Sequence, residues 1–393
     1  MDMDIRGQVI LKKGREASVK RFHPWIFSGA IQTSEGNLEE GDWVEVQDAT
    51  KHTLGFGHYQ KGTITVRLLS FEKTPPVASL YAEKIEKALR QRMVIKVIGE
   101  FTNCYRLIHG EGDGLPGLVM DIYNGVAVMQ AYTVGMHRDR QLIGQAVKEV
   151  LLEGVNSVYY KSQNVLPGKS ENEYLMGIST VPHLALEHGN KFYVDWENGQ
   201  KTGFFLDQRE NRKLLGEMAR GSKVLNTFCY TGGFSVYALR AGAVLVHSVD
   251  ASEKAVELTK KNLELNGFDP VHHACFASDT FDFIKDKEDQ YDLIILDPPA
   301  FAKHKDARHQ AMKGYQRLNA EAMRIIKSNG IIFTFSCSQV VDRQLFYDTV
   351  VSAAIQSGRE IKVLHHLSQP GDHAVSMYHP EGEYLKGLVL YVN

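Results

Sequence analysis

Cysteine is scarce in this chain. Its four copies in 393 residues, Cys104, Cys229, Cys275 and Cys337, lie far apart, with neither a C-x-x-C pair nor a Cys/His zinc spacing. That excludes a disulfide-stapled fold, predicts no metal site and reads as reduced thiols in a cytoplasm. No apolar run approaches the ~18 residues of a membrane span. The start, Met1 to Arg6, has neither the basic flank nor the apolar core of a signal peptide. The expectation is therefore a cytoplasmic protein with no membrane partner. An excess of one charge is missing too. With 45 Lys+Arg against 47 Asp+Glu, the net charge is -2, so whole-chain electrostatics ask for no polyanion, and any such surface must be local. Internal repeats and low-complexity tracts are also absent. What remains is ordinary globular composition, 43% hydrophobic, 23% charged and 10% aromatic. The length allows two or three domains, at roughly 100–200 residues each.

Three stretches differ in pattern. Residues 1–74 carry short β-type runs broken by glycines, such as the alternating Val44-Glu45-Val46 and Ile64-Thr65-Val66-Arg67-Leu68, and Pro75-Pro76 ends them. Residues 75–182 read as an α+β unit. A helix from Ser79 to Ile98, with Leu80, Ile85, Leu89 and Met93 on one side, precedes strands at Tyr105–Ile108, Gly117–Tyr123 and Val126–Tyr132 and a helix at Arg138–Leu152. Residues 183–393 alternate strands (Lys223–Phe228, Val244–Asp250, Tyr291–Asp297, Ile331–Ser336) with helices (Phe234–Ala241, Glu253–Asn266, Ala311–Lys327, Arg343–Gln356). That alternation predicts an α/β, doubly wound parallel sheet. The runs Ile361–His365 and Tyr384–Val392 are expected to pair antiparallel.

In such a sheet a ligand lies beyond the carboxyl ends of the strands. The first strand runs into Asn226 to Phe234, through Phe228, Tyr230 and the pair Gly232-Gly233, without the G-x-G-x-x-G spacing that a pyrophosphate needs. The second ends in Asp250, eighteen residues after Gly232, where a carboxylate can accept both hydrogen bonds of a ribose diol. An adenosine ligand without phosphates fits both features. Asp279, past the next expected strand, is the candidate acceptor for the adenine amino group. The fourth strand ends in the rigid Asp297-Pro298-Pro299. Together these features resemble the S-adenosylmethionine (SAM) dependent methyltransferases. Singly, each has a plain reading as a tight turn, a helix cap or a turn residue. Gly199 to Asn211 resembles the element before the methyltransferase fold in RNA cytosine and uracil C5 methyltransferases, where a glutamine touches the cofactor. Here that residue is Gln208. A helix start capped by Asp207 accounts for Asp207 and Arg209 equally well.

The fifth strand ends in Phe335-Ser336-Cys337-Ser338, beside the strand that carries Asp297, so thiol and carboxylate are expected to face one cleft. Cytosine C5 is a weak nucleophile until a thiolate adds at C6. Methylation of an exocyclic amine or of guanine N7 needs no cysteine. A thiol of pKa ~8.5 is only a few per cent ionised at pH 7, and Lys303, His304 and Lys305 are the nearby candidates for raising that fraction. The other reading of Cys337 is a small buried hydrophobe.

Arg15 with His23-Pro24-Trp25-Ile26-Phe27, Tyr105 to Gly117, Lys201 to Arg209, Tyr230 to Phe234, Asp297-Pro298-Pro299, Phe335 to Ser338 and Pro380 to Gly387 resemble the bacterial 23S rRNA cytosine-C5 methyltransferases, in order and over nearly the whole chain. The resemblance implies an N-terminal PUA domain, a central α/β domain and a C-terminal Rossmann-like methyltransferase domain. It also implies SAM as methyl donor, and 23S ribosomal RNA or a large-subunit assembly intermediate as partner. A homodimer is left open. No cysteine follows Asp297-Pro298-Pro299, which leaves Cys337 as sole nucleophile. Ala300 stands where some relatives have lysine, and Lys303 or Lys305 is the candidate substitute. Local positive charge sits at Lys12, Lys13, Arg15, Lys20 and Arg21, and again at Lys303, Lys305, Arg308, Lys313 and Arg317. Phosphate contact is the expectation for Lys12, Lys13, Arg15, Lys303 and Lys305. Two rivals remain: the same fold methylating a base nitrogen, and a catalytically silent RNA-binding assembly factor. Cys337 and the intact cofactor loop argue against them.

Overall fold

The alternating β-branched runs of the first stretch close into a six-stranded sheet. Its strands are β1 (Ile5–Leu11), β2 (Trp25–Phe27), β3 (Ile31–Glu35), β4 (Trp43–Gln47), β5 (Thr53–Tyr59) and β6 (Ile64–Ser70), in the order β2-β6-β5-β4-β1-β3. The computed structural model describes residues 3–163, 165–166, 168, 172–285, 287–302 and 305–393. Val9, Val44, Val46, Val66 and Leu68, one from every second position, form the core of this sheet. Contacts divide the chain into two compact units. The first holds Met1–Ala185, Val194–Leu206 and Gly371–Gly382, and the second holds Leu186–Tyr193, Asp207–Pro370 and Glu383–Asn393.

The first unit also contains the strands β7 (Cys104–His109), β8 (Leu118–Tyr123), β9 (Val126–Ala131), β10 (Ser157–Lys161) and β11 (Asn172–Met176), ordered β11-β10-β9-β8-β7. The last two of these strands were not read from the sequence. Helix Ser79–Val94 packs with this sheet through Tyr81, Ile85 and Ala88. It stops four residues short of the expected Ile98, and its buried face differs from the expected one: Met93 is 62% exposed while Arg92 is fully buried. The exchange is electrostatic. Arg92 donates Nη2 to Asp113 Oδ2 at 2.7 Å and to the carbonyl of Asp372 at 2.6 Å, so its guanidinium is buried with partners. Glu111 accepts from Trp25 Nε1 at 2.8 Å, and the His379 ring packs on Trp25 with centroids 4.3 Å apart. The His-Pro-Trp and Pro-Glu-Gly motifs therefore meet inside this unit.

A hairpin of β12 (His183–Glu187) and β13 (Asn190–Val194) comes next along the chain. The second unit is built on β14 (Lys223–Thr227), β15 (Leu245–Asp250), β16 (His273–Ala277), β17 (Tyr291–Leu296), β18 (Ile326–Ser336), β19 (Ile361–Ser368) and β20 (Lys386–Val392). Their order is β16-β15-β14-β17-β18-β20-β19. The first five are parallel to one another, while β20 runs antiparallel to both of its neighbours. The expected pairing of the last two strands is present, and β20 is inserted between β18 and β19 rather than left at the edge. The helix expected over Ala311–Lys327 spans Arg308–Ile325, and β18 takes up Ile326 and Lys327, with Ile326 opposite Tyr291. The order reverses between β14 and β17, which puts the ligand crevice beyond their carboxyl ends.

Candidate cofactor and nucleophile site

After β14 the backbone turns sharply. Phe228 (φ 54°), Tyr230 (φ 47°) and Gly232 (φ 78°) are all left-handed. Two non-glycine residues in that region within three positions store strain that the surroundings must hold. They do so through hydrogen bonds. Asp250, ending β15, accepts from Tyr230 N through Oδ2 and from Ser252 N through Oδ1, each at 2.9 Å. Thr259 donates to Tyr230 O and Asn262 to Thr231 O, both at 2.8 Å. A Cβ on Gly232 would lie 2.6 Å from Thr259 Cγ2, so only glycine lets the loop approach helix Glu253–Leu265. The cap of that helix is Ser252, not Asp250. The lone pairs of Asp250 beyond the two backbone bonds suit a diol. Asp279 caps helix Thr280–Ile284 by accepting from Phe281 N at 2.8 Å and Asp282 N at 3.3 Å, both through Oδ1.

The chemistry of this donor set fits SAM. Acceptor carboxylates stand at or just past the ends of β15, β16 and β17, and residues 226–233 contain no lysine or arginine to meet a phosphate. Gln208, 3% exposed, donates Nε2 to Asp297 Oδ1 at 3.1 Å and accepts from Asn211 Nδ2 at 2.7 Å. Two residues singled out separately in the sequence thus form one hydrogen-bonded pair. Asp207 accepts from Tyr384 Oη at 2.7 Å, and the helix that follows, Arg209–Met218, has no side-chain cap. Behind it Arg212 makes a bidentate pair with Glu187 at 2.8 and 2.7 Å, both residues buried.

Cys337 follows β18 and is half-buried. Ser336 donates to Tyr315 Oη at 3.0 Å, and Ser338 donates to the Ala302 carbonyl at 2.8 Å. Burial pushes the Tyr315 phenol up to about 12, and Asp297 and, when ionised, Cys337 push the same way. Thiol and carboxylate therefore act on one phenol. Cys229, in the cofactor loop, is 6% exposed, and burial raises its thiol well above the ordinary value. Burial raises Cys275 as well.

Lys386, which sequence reasoning missed, lies at the same place. Only 6% exposed, it faces Ser336 across the β18/β20 ladder and donates Nζ to the Ser338 carbonyl at 2.6 Å. Its one sequence signal was membership of the motif Pro380 to Gly387. Of the proposed phosphate ligands, Lys12, Lys13 and Arg15 are exposed, with Lys12 Nζ 3.0 Å from the Gly29 carbonyl. Lys303 and His304 lie outside the described residues, as does the side chain of Lys305. Arg317 is drawn onto the Phe281 ring, 4.4 Å from its centroid.

Sheet order, switch-point carboxylates and a phosphate-free glycine turn define the class of SAM-dependent methyltransferases. Known proteins bear this out. A family described as S-adenosylmethionine-dependent methyltransferase matches residues 106–371, and a PUA-like domain matches residues 9–71. The chain is 38% identical to ribosomal RNA large subunit methyltransferase I of Aeromonas hydrophila, over 97% of this chain and 98% of that protein. It is also 38% identical to the protein of the same name from Pseudoalteromonas atlantica, over 98% and 99%. A solved SAM-dependent methyltransferase from Streptococcus mutans superposes with a TM-score of 0.84 at 25% identity, covering 98% of this chain and all of that one. A second solved methyltransferase, in complex with SAH, gives 0.85 at 25% identity, over 98% of this chain and 100% of that one. The chain belongs to the SAM-dependent methyltransferase family that includes the ribosomal RNA large subunit methyltransferases I.

Proposed function

We propose that this protein methylates C5 of a cytosine in 23S rRNA, as free RNA or in a large-subunit assembly intermediate, through a covalent adduct of Cys337 with cytosine C6. The observation that carries the reading is the half-buried Cys337 at the end of β18, beside the buried cation of Lys386, where the other cofactor-side thiol, Cys229, is buried with its ionisation suppressed. SAM, when bound, supplies the methyl group as an electrophile. The protein's own residues do the rest. Asp250 and Asp279 accept from ribose and adenine, and Phe228, Tyr230 and Gly232 shape the turn against the cofactor. Gln208 orients the Asp297 carboxylate through its 3.1 Å hydrogen bond, and Asp297 is the proposed acceptor for the cytosine amino group. The Cys337 thiolate forms the S–C6 bond, which makes C5 nucleophilic. Loss of H5 to a base and departure of the thiolate then restore the ring. Exposed Lys12, Lys13 and Arg15, with Lys303 and Lys305, take the RNA backbone. No helix among the described residues is long and apolar enough to cross a membrane, and the reading places the protein in a bacterial cytoplasm.

The test is RNA carrying 5-fluorocytosine, whose fluorine cannot leave as a proton. Wild-type protein should become covalently trapped through Cys337, and Cys337→Ala should bind SAM normally yet transfer no methyl group. Methylation without trapping, together with an active Cys337→Ala variant, favours a base nitrogen as the acceptor. Absence of SAM binding in the wild type leaves an assembly factor.

A further inference from the structure

A thiol that must react as an anion needs a cation nearby, and the sequence suggested Lys303 to Lys305. The fold supplies a different one. Because β20 is inserted antiparallel beside β18, Lys386 faces Ser336, the residue before Cys337, and its Nζ bonds at 2.6 Å to the carbonyl of Ser338, the residue after it. A second bond, 2.9 Å to the Tyr384 carbonyl, anchors the ammonium from the residues just before its own strand. Both partners are neutral carbonyls. Among the described residues no carboxylate comes within ion-pair distance of this buried Nζ, and a cation held by dipoles alone retains its field for an anion beside it.

We infer that Lys386 is the positioning residue of Cys337. Anchored to the carbonyls of Ser338 and Tyr384, its ammonium holds the turn that carries the cysteine and stabilises the sulfur as a thiolate. When the thiol ionises, its proton goes to solvent, no bond to Lys386 forms, and the thiolate–ammonium pair is the reactive state. The inference rests on the proposed Cys337 chemistry only for its catalytic consequence, since the ionisation can be read without any methyl transfer.

The charges around the pair agree with this assignment. Burial lowers the Lys386 ammonium to about 8, so at pH 7 it is still mostly charged. The Cys337 charge, Asp342 and Glu383 raise it, and Arg343 lowers it. Arg343 and Glu383 are bonded to each other and largely cancel, while Asp342 is committed to capping its helix through Leu345 N at 2.8 Å. Asp297 shares the surroundings of Tyr315 with Cys337, and its negative charge disfavours a thiolate there, which the Lys386 ammonium opposes. Sulfur and amine then titrate as a coupled pair. Support for the thiolate is present at pH 7 and is lost as pH rises through about 8.

The experiment is the pH dependence of iodoacetamide alkylation at Cys337 in the full-length protein, read by peptide mass spectrometry. Wild type is compared with Lys386→Met and Lys386→Arg, and Cys275 serves as internal reference. The expected wild-type midpoint is at least one unit below the ordinary ~8.5 of a thiol. Lys386→Met should move it up by a unit or more, slowing alkylation about tenfold at pH 7, while Lys386→Arg keeps the low midpoint and Cys275 does not change. SAM affinity by calorimetry reports whether each variant is folded. A wild-type midpoint at or above the ordinary value overturns the inference, and so does a folded Lys386→Met with the wild-type midpoint. If Lys386→Met fails to fold, the wild-type midpoint and the Lys386→Arg variant decide. A shifted midpoint combined with an active Cys337→Ala enzyme removes the C5 reading and keeps the assignment of Lys386. Covalent trapping with an unmoved midpoint does the reverse.

Discussion

At Asp250 each carboxylate oxygen already accepts one backbone N–H, from Tyr230 and Ser252, so the side chain is oriented before any ligand arrives. Its truncation removes the proposed charged acceptor for the cofactor diol and also releases the backbone N–H groups of Tyr230 and Ser252 that hold the loop. Asp250→Ala should therefore weaken SAM binding by about 1.5–3 kcal/mol, roughly 10- to 100-fold in Kd by calorimetry. An unchanged affinity removes Asp250 from the site. Asp139 offers a residue-scale test of acid stability. Burial pushes its carboxyl up, but hydrogen bonds from His58, Tyr81 and Trp43 and the charge of His58 outweigh this and hold it below the ordinary value. A lowered folded value means stability that is present above the unfolded pKa of about 4 and lost as pH falls through the folded one. Asp139→Asn should flatten the acid limb of a stability-against-pH curve as pH falls below the unfolded carboxyl value of about 4. An unaltered limb shows that other carboxylates govern it.

At the scale of elements, the turn from β14 into helix Gly233–Arg240 depends on Gly232, which is left-handed and packed against Thr259. Gly232→Val pays the left-handed cost of about 1–2 kcal/mol before any clash, and the crowding against Thr259 adds to it. The melting temperature should fall by at least about 2–4 °C for each kcal/mol, with SAM binding weakened in proportion. Retention of both is the result that counts against a close-packed turn. The exposed basic segment between β1 and β2 is a separate element with a separate readout. Charge reversal of Lys12, Lys13 and Arg15 should lower the salt dependence of RNA binding by about 0.7 in slope for each phosphate of a single strand that is no longer neutralised. SAM affinity should stay constant. An unaltered slope places the RNA backbone elsewhere.

On the scale of the whole molecule, the buried Arg212–Glu187 pair joins helix Arg209–Met218 to the segment Leu186–Tyr193 within the second unit, and Tyr237 adds a hydrogen bond to Glu187 at 3.0 Å. Removing Arg212 takes away the close bidentate cation and leaves the buried Glu187 with the looser Arg209 contact at 3.9 Å and the Tyr237 hydrogen bond. Arg212→Met should cost about 3–5 kcal/mol in chemical denaturation, and the double change with Glu187→Met should recover part of it. Equal losses in the single and double variants would mean that packing, not charge, holds these segments together.

What the sequence determined by itself is what local chemistry encodes. Alternation in Val44-Glu45-Val46, turn residues at Gly232-Gly233, carboxylates at strand ends and helices of about three turns between strands are short-range patterns. They specified the parallel α/β architecture, the candidate cofactor loop and Cys337. What needed tertiary structure is every property set by residues distant along the chain. Met93, expected on the buried side, is exposed, while the neighbouring Arg92 is buried because Asp113 pairs with it and the Asp372 carbonyl accepts from it. Gln208 and Asp297 become one pair only because the β14/β17 switch point brings residues 89 positions apart to 3.1 Å. Lys386 looks like one more charge near the end of the chain until β20 enters the sheet between β18 and β19 and buries it beside Cys337. Burial and pairing of charge are long-range quantities, because the desolvation of a group depends on whatever the fold stacks around it.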